Sequence, residues 1–141
     1  MNASTGQIVV GIDGSDASIE ALRWALAQAG LTGGDVVAVT SWQRPKEYGG
    51  QFVAEEVDWE KLAQTILDDA LQAVDPGEVT IHEHVCEGHP AQVLIDASQD
   101  AALLVVGSRG HGGFVGLLIG SVSAYVSAHA HCPVVVVRNN A

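Results

Sequence analysis

Positive charge is scarce in this sequence. Six Lys and Arg stand against 17 Asp and Glu, a formal net charge of −11. A surface of that sign repels the phosphates that nucleic-acid binding must neutralise, so no nucleic-acid partner is expected. The acidity itself reads as a solubility feature. No apolar run approaches the ~20 residues of a membrane-spanning helix, so no membrane partner is expected either. The opening "MNASTGQ" lacks the basic-then-apolar pattern of a signal peptide. Cysteine is rare: Cys86 and Cys132 lie far apart, with no zinc-type spacing around either. Both are expected as buried free thiols of a cytoplasmic protein rather than as a disulfide. Familiar signatures are missing too. There is no G-x-x-x-x-G-K-[ST] loop, no G-x-G-x-x-G register and no G-x-S-x-G elbow.

What remains is a chain of 141 residues, 48% hydrophobic, which suits one domain over 1–141 with a substantial core. Apolar β-branched runs predict strands at 7–12, 35–41, 79–85, 101–107 and 133–137. Between them helical spacing recurs. Ser15 is placed to cap a helix with Ile19, Leu22, Leu26 and Ala29 inward, stopped by Gly30 and the pair at 33–34. Trp59, Leu62, Ile66, Ala70 and Val74 mark a second helical face. Pro90 suits the first position of a third helix, with Val93, Leu94 and Ala97 inward. Val122, Tyr125, Val126 and His129 mark a fourth. Residues 43–56 read as loop. Strands that alternate with helices predict an α/β fold: a doubly wound, Rossmann-like, five-stranded parallel sheet with helices on both faces. In the spatial order 3-2-1-4-5, the strand order reverses between strands one and four.

Ligands of such sheets bind outside the carboxyl ends of the strands, at that reversal. Two unusual loops would meet there: "DGS" after strand one and "GSRGHGGFVGLLIGS" after strand four. The second holds six glycines in fifteen positions, 107 to 121, and no acidic residue. Glycine is entropically costly in ordered chain, and its use here fits close backbone approach to phosphate oxygens. Ser121 stands where a helix begins, so its hydroxyl and the N–H of Val122 would face the ligand. Arg109 is the loop's strong cation. Asp13, an anion, cannot bind phosphate directly. It could hold Mg²⁺ or a bridging water shell, or accept from a hydroxyl.

The spacing Gly107-x₂-Gly110-x₉-Gly120-Ser121 matches the G-x₂-G-x₉-G-[ST] pattern of nucleotide-binding universal stress proteins. "IVVGIDGSDASIEALRWA" resembles that family's opening, and "LLVVGSRGHGG" and "GSVSAYVSAHAHCPVVVVR" resemble its ending. The resemblance implies a small cytoplasmic protein that binds ATP in stress adaptation, usually as a homodimer. By position, Asp13 would lie near the phosphates and Mg²⁺, and Ser41 would offer backbone to the adenine edge. Gly107 and Gly110 would line ribose and phosphates. Gly120, Ser121 and Val122 would close on the phosphate chain, and Gly11 would lie beneath the ligand.

Other residues carry weaker signals. His82 and His84 alternate on a strand, and His129 and His131 sit at a helix end. No carboxylate or cysteine completes a metal spacing, so surface or capping roles are expected. His111, inside the glycine loop, could touch a phosphate. Trp24, Trp42 and Trp59 read as packing, although Trp42 follows Ser41 and could border the adenine. ATP hydrolysis needs a positioned water and stabilised γ-phosphate charge. Asp13 and Arg109 supply part of this, without a visible general base. A binding module is therefore favoured, with slow ATP hydrolysis, or AMP or cyclic AMP as ligand, as the alternatives. The edge strand at 133–138 is apolar on both faces and predicts a homodimer by strand pairing.

Overall fold

The computed structural model describes residues 6–44, 57–108 and 120–138. Five strands and four α-helices alternate among them. They are β1 (Ile8–Gly11), α1 (Asp16–Thr32), β2 (Val36–Trp42), α2 (Trp59–Gln72), β3 (Ile81–Glu87), α3 (Pro90–Ala97), β4 (Leu103–Gly107), α4 (Ser121–His129) and β5 (Val134–Val137). A single 3₁₀ turn, Ser98–Asp100, follows α3. Every strand pairing is parallel, and the order is β3-β2-β1-β4-β5. The expected topology, order and doubly wound winding are all present.

Alternation along the strands explains the two covered faces. Ile8, Val10, Val36, Ala38 and Val105 point to one face. There they meet Ala21, Leu22, Ala25 and Leu26 of α1, and Leu67 and Ala70 of α2. Val9, Val39, Leu104 and Val106 point to the other, against Ala91, Leu94 and Ile95 of α3 and Val126 of α4. Strands buried on both sides must read as continuous apolar runs, as β1 and β4 do.

The differences from expectation are local. Gly30 lies inside α1, and Gly33 alone caps it, at φ 82° with its N–H on Ala29 O. β3 starts at Ile81 rather than 79 because it is an edge strand with little buried apolar pattern of its own. Its stretch His82–His84 is exposed. The buried face of α2 is Ala63, Leu67 and Ala70, whereas Leu62 is 48% exposed. In α4, Ser123 and Val126 are buried, and Tyr125 and His129 are exposed. The Tyr125 and His129 rings lie 4.3 Å apart, centre to centre. Cys86 and Cys132 are free but half-buried, and that burial pushes both thiols above their ordinary pKa.

Neighbouring leucines of α2 therefore differ sharply. Leu67→Ala should lower unfolding free energy by about 2–5 kcal/mol through an internal cavity. Leu62→Ala should change it by no more than about 0.5 kcal/mol, as surface substitutions do. Urea titration of both variants checks the assigned face of the helix.

Candidate nucleotide-binding crevice

The notch at the centre of the sheet arises because β1 is short. Its last pairing with β2 is Gly11↔Val39, yet β2 continues through Thr40, Ser41 and Trp42. Its last pairing with β4 is Val10↔Val105, yet β4 continues through Val106 and Gly107, paired to β5. The carboxyl end of β1 is thus recessed between two longer neighbours whose following helices lie on opposite faces. The chain leaves β1 at Ile12 and β4 at Ser108 on either side of this recess.

Hydroxyl groups shape the β1 loop. Ile12 N–H donates to Val39 O at 2.8 Å, and the Thr40 hydroxyl donates to Ile12 O at 3.0 Å in a buried position. Gly14 then turns the chain at φ 87°, a left-handed conformation that favours glycine. Ser15 caps α1: its hydroxyl oxygen accepts from Ser18 N–H at 3.1 Å. Both the N–H and the hydroxyl of Ser15 donate to Asp13 Oδ1, at 2.9 and 2.5 Å. Ser18 Oγ accepts from Asp13 N–H at 3.3 Å and donates to Ser15 O at 2.9 Å. The exposed Asp13 carboxylate is thereby held in a set direction by its own loop.

The exit of β4 is fastened as firmly. Ser108 N–H donates to Val137 O at 2.8 Å, and Ser108 O accepts Gly120 N–H at 2.5 Å. The buried Ser123 hydroxyl lies 3.1 Å from both Ser108 O and Gly120 O. Gly120 is the N-cap of α4, and among the described residues no side chain caps that helix. Ser15, Asp58 and His89 supply side-chain caps to α1, α2 and α3. Among the described helices α4 alone presents its first-turn N–H groups without such a cap, at the positive end of its dipole.

Two expected glycines have packing reasons. A Cβ on Gly107 would stand 2.8 Å from the backbone carbon of Ala17. Its absence lets β4 abut the first turn of α1. A Cβ on Gly11 would stand 2.9 Å from Leu94 Cδ1 of α3. Ser41 is half-buried opposite Cys86 on β3, beyond the end of β1. Asp13, Ser41, Gly107, Gly120, Ser121 and Val122 therefore all stand at the carboxyl edge of the sheet. Arg109, Gly110 and His111 lie outside the described residues.

Beside Asp13 a cleft of about 250 Å³ runs between α1 and α2, lined by Asp13, Gly14, Ile19, Ile66, Asp69 and Ala70. Two carboxylates, Asp13 and Asp69, make this cleft unfavourable for an anion. The histidines have other occupations. His82 Nε2 bonds Asp35 Oδ2 at 2.9 Å, and His89 Nδ1 accepts from Ala91 N–H. Among the described residues no three His, Cys, Asp or Glu cluster as metal ligands, and no helix is long and apolar enough to cross a membrane. The sequence reading missed Ser18, Thr40, Ser108 and Ser123. Their one signal is a hydroxyl at the end of an otherwise apolar strand, or in the first turn of a helix.

Comparison with known proteins gives a consistent picture. The model of the Universal stress protein family matches residues 5–138. A universal stress protein of Mycobacterium tuberculosis (strain ATCC 25618 / H37Rv) is 34% identical over 151 aligned positions, covering 98% of this chain and 49% of that protein. The chain thus spans about half the length of that relative. A solved universal stress protein in complex with cAMP is 28% identical, with TM-score 0.68, covering 94% of this chain and 95% of that one. The universal stress protein from Archaeoglobus fulgidus in complex with dAMP is 25% identical, with TM-score 0.58, covering 93% and 96%.

The abutment of β4 on α1 has a measurable consequence. Gly107→Ala places a methyl group into the backbone of Ala17 and should cost about 1–3 kcal/mol by overpacking. Gly33→Ala offers a contrast, since a Cβ there meets nothing within 4 Å. Its cost should come from the left-handed backbone alone and be about 1 kcal/mol. Thermal unfolding of the two variants ranks them.

Proposed function

The chain belongs to the universal stress protein family, and on that premise we propose that the recess between β1 and β4 binds an adenine nucleotide. The observation that carries this reading is the start of α4. Its N-terminus has no side-chain cap among the described residues, and Gly120 is bonded there to the exit of β4 beside the recess. Such a terminus is a ready anion site, built from N–H groups and dipole rather than from Lys or Arg. In a chain of net charge −11 this is the available way to hold phosphate. Asp13 and Asp69 turn the phosphates away from the cleft between α1 and α2.

The nucleotide is read as ATP with Mg²⁺. The Asp13 carboxylate is an oxygen donor of the kind Mg²⁺ prefers, and Mg²⁺ commonly binds through one or two carboxylates, water and substrate phosphates. Asp13 would hold the ion, directly or through water. Arg109 and Gly110 would complete the phosphate contacts. The overhang of β2 at Ser41 would meet the adenine edge, and Gly11 would form the floor. AMP or cyclic AMP in the same recess is the second reading, favoured by relatives solved with cAMP and dAMP. The protein acts as a nucleotide-responsive regulatory module of the cytoplasm. Slow ATP hydrolysis is the enzymatic variant of the same site.

β5 completes the reading. It lies at the sheet edge, and its four valines are each only partly buried. A two-fold partner adding its own β5 would satisfy the edge backbone and cover the valines.

Calorimetry with ATP, ADP, AMP and cyclic AMP, each with and without Mg²⁺, tests the site. Saturable binding of at least one nucleotide is expected. Gly120→Val should weaken it at least tenfold, about 1.4 kcal/mol. Asp13→Ala should weaken Mg·ATP more than metal-free ATP. Equal affinity of wild type and Gly120→Val would move the site elsewhere. For the edge, Val136→Pro removes a backbone N–H that faces away from β4 and should shift a dimer toward monomer or aggregate in light scattering. A wild-type mass of 14.6 kDa at micromolar concentration would contradict the dimer.

A further inference from the structure

From the bonding around Ser108, and resting on the nucleotide reading above, we infer that Ser123 is a positioning residue of the site. Its buried hydroxyl sets the backbone that receives phosphate before any ligand arrives. Ser123 is 3% exposed, and its hydroxyl reaches Ser108 O and Gly120 O, each at 3.1 Å. A hydroxyl has one proton to donate, so the two carbonyls share it in a three-centre bond. Ser108 O also takes Gly120 N–H, and Gly120 O takes Ala124 N–H, the first bond of α4. The hydroxyl therefore sits at the junction of the end of β4 and the first turn of α4. Residues 108 and 120 are distant in sequence, yet their backbones are bonded to one another and to one side chain.

The placement of buried hydroxyls points the same way. Among the described residues the buried polar side chains are Ser18, Thr40, Ser98, Ser108 and Ser123. All but Ser98 stand at the carboxyl edge. Ser18 and Thr40 brace the loop after β1. Ser123 braces the chain around the loop after β4. A buried hydroxyl needs a partner and contributes less than an apolar side chain to a core. Concentrating such groups around the two loops serves their geometry.

Ser123 acts through Ser108 and Gly120, and the N–H groups of Ser121 and Val122 belong to the turn it fixes. With that turn set in advance, less ordering entropy is lost when a phosphate docks. Without the hydroxyl, the Gly120 N–H bond to Ser108 O is what remains of the junction around that carbonyl.

The test uses the full chain with Ser123→Ala, the near-isosteric weak donor Ser123→Cys, and Ser123→Thr, which keeps the hydroxyl. Ser127→Ala is the control, since it removes a similar hydroxyl-to-carbonyl bond one turn further along α4. Nucleotide affinity is read by calorimetry with ATP, ADP, AMP and cyclic AMP, and amide hydrogen exchange is read at Gly120 in ligand-free protein. Ser123→Ala and Ser123→Cys should weaken binding about five- to tenfold, the scale of one neutral hydrogen bond. They should also speed exchange at Gly120, while strand amides stay protected. Ser123→Thr and Ser127→Ala should stay near wild type in both. If wild type binds but Ser123→Ala and Ser123→Cys match it in affinity, the role of Ser123 is overturned and the functional reading stands. If wild type binds none of the four nucleotides, the functional reading falls, and with it the role assigned to Ser123.

Discussion

β1 pairs with two strands whose following helices leave to opposite faces of the sheet, and it is shorter than both. Much of the carboxyl edge follows from that arrangement. The helices that follow those neighbours, α2 and α4, pack on opposite faces of the sheet. The neighbours run on, so the end of β1 becomes a recess floored by Gly11 and walled by Thr40–Trp42 and Val106–Gly107. The lack of a side chain at Gly107 draws the wall inward until β4 touches the first turn of α1. Two helix starts, α1 and α4, then stand at one place. One is capped by Ser15, and the other carries no side-chain cap.

The electrostatics of the chain make that difference functional. Basic side chains are few, and among the described residues Arg23 is engaged with Glu20. On the proposed nucleotide reading, phosphate binding rests mainly on oriented backbone, which costs no net charge and needs little reorganisation. Oriented backbone in turn needs bracing. The hydroxyls of Ser18, Thr40 and Ser123 supply it by bonding main-chain groups of the two loops. The acidic residues have a directional effect. Asp13 and Asp69 put two carboxylates in the cleft between α1 and α2, and the bonds from Ser15 fix the direction in which the Asp13 carboxylate points.

Much of this was legible in the residues alone, for physical reasons that differ by element. The capping of α1 by Ser15 is a local matter of a few residues, and it is present. β1 and β4 were legible because burial on both faces leaves unbroken apolar runs. β3 was displaced by two residues because an edge strand carries exposed His82, Glu83 and His84 in place of such a run. The inner face of α2 was legible in part: Ala70 is buried and Ile66 and Val74 pack against the core, as expected, whereas Leu62 is exposed and Trp59 only half-buried. That face is built on the small Ala63 and Ala70 with Leu67 between them. The bracing hydroxyls were invisible because their partners are main-chain groups distant in sequence. Thr40 reaches back 28 positions to Ile12, and Ser123 reaches back 15 to Ser108. The glycine spacing carried the family resemblance, but the packing need for Gly107 emerges only when α1 is set against β4.

The central claim is that phosphate docks on the start of α4 beside the recessed end of β1. Two-dimensional ¹⁵N–¹H NMR during titration with ADP addresses it residue by residue. The account predicts progressive amide shifts at Gly120, Ser121 and Val122 and at Asp13, Gly14 and Ser15. Amides of β3 and of the C-terminal half of α2 should stay still. Shifts concentrated on those distant elements, with the start of α4 unmoved at saturation, would contradict it.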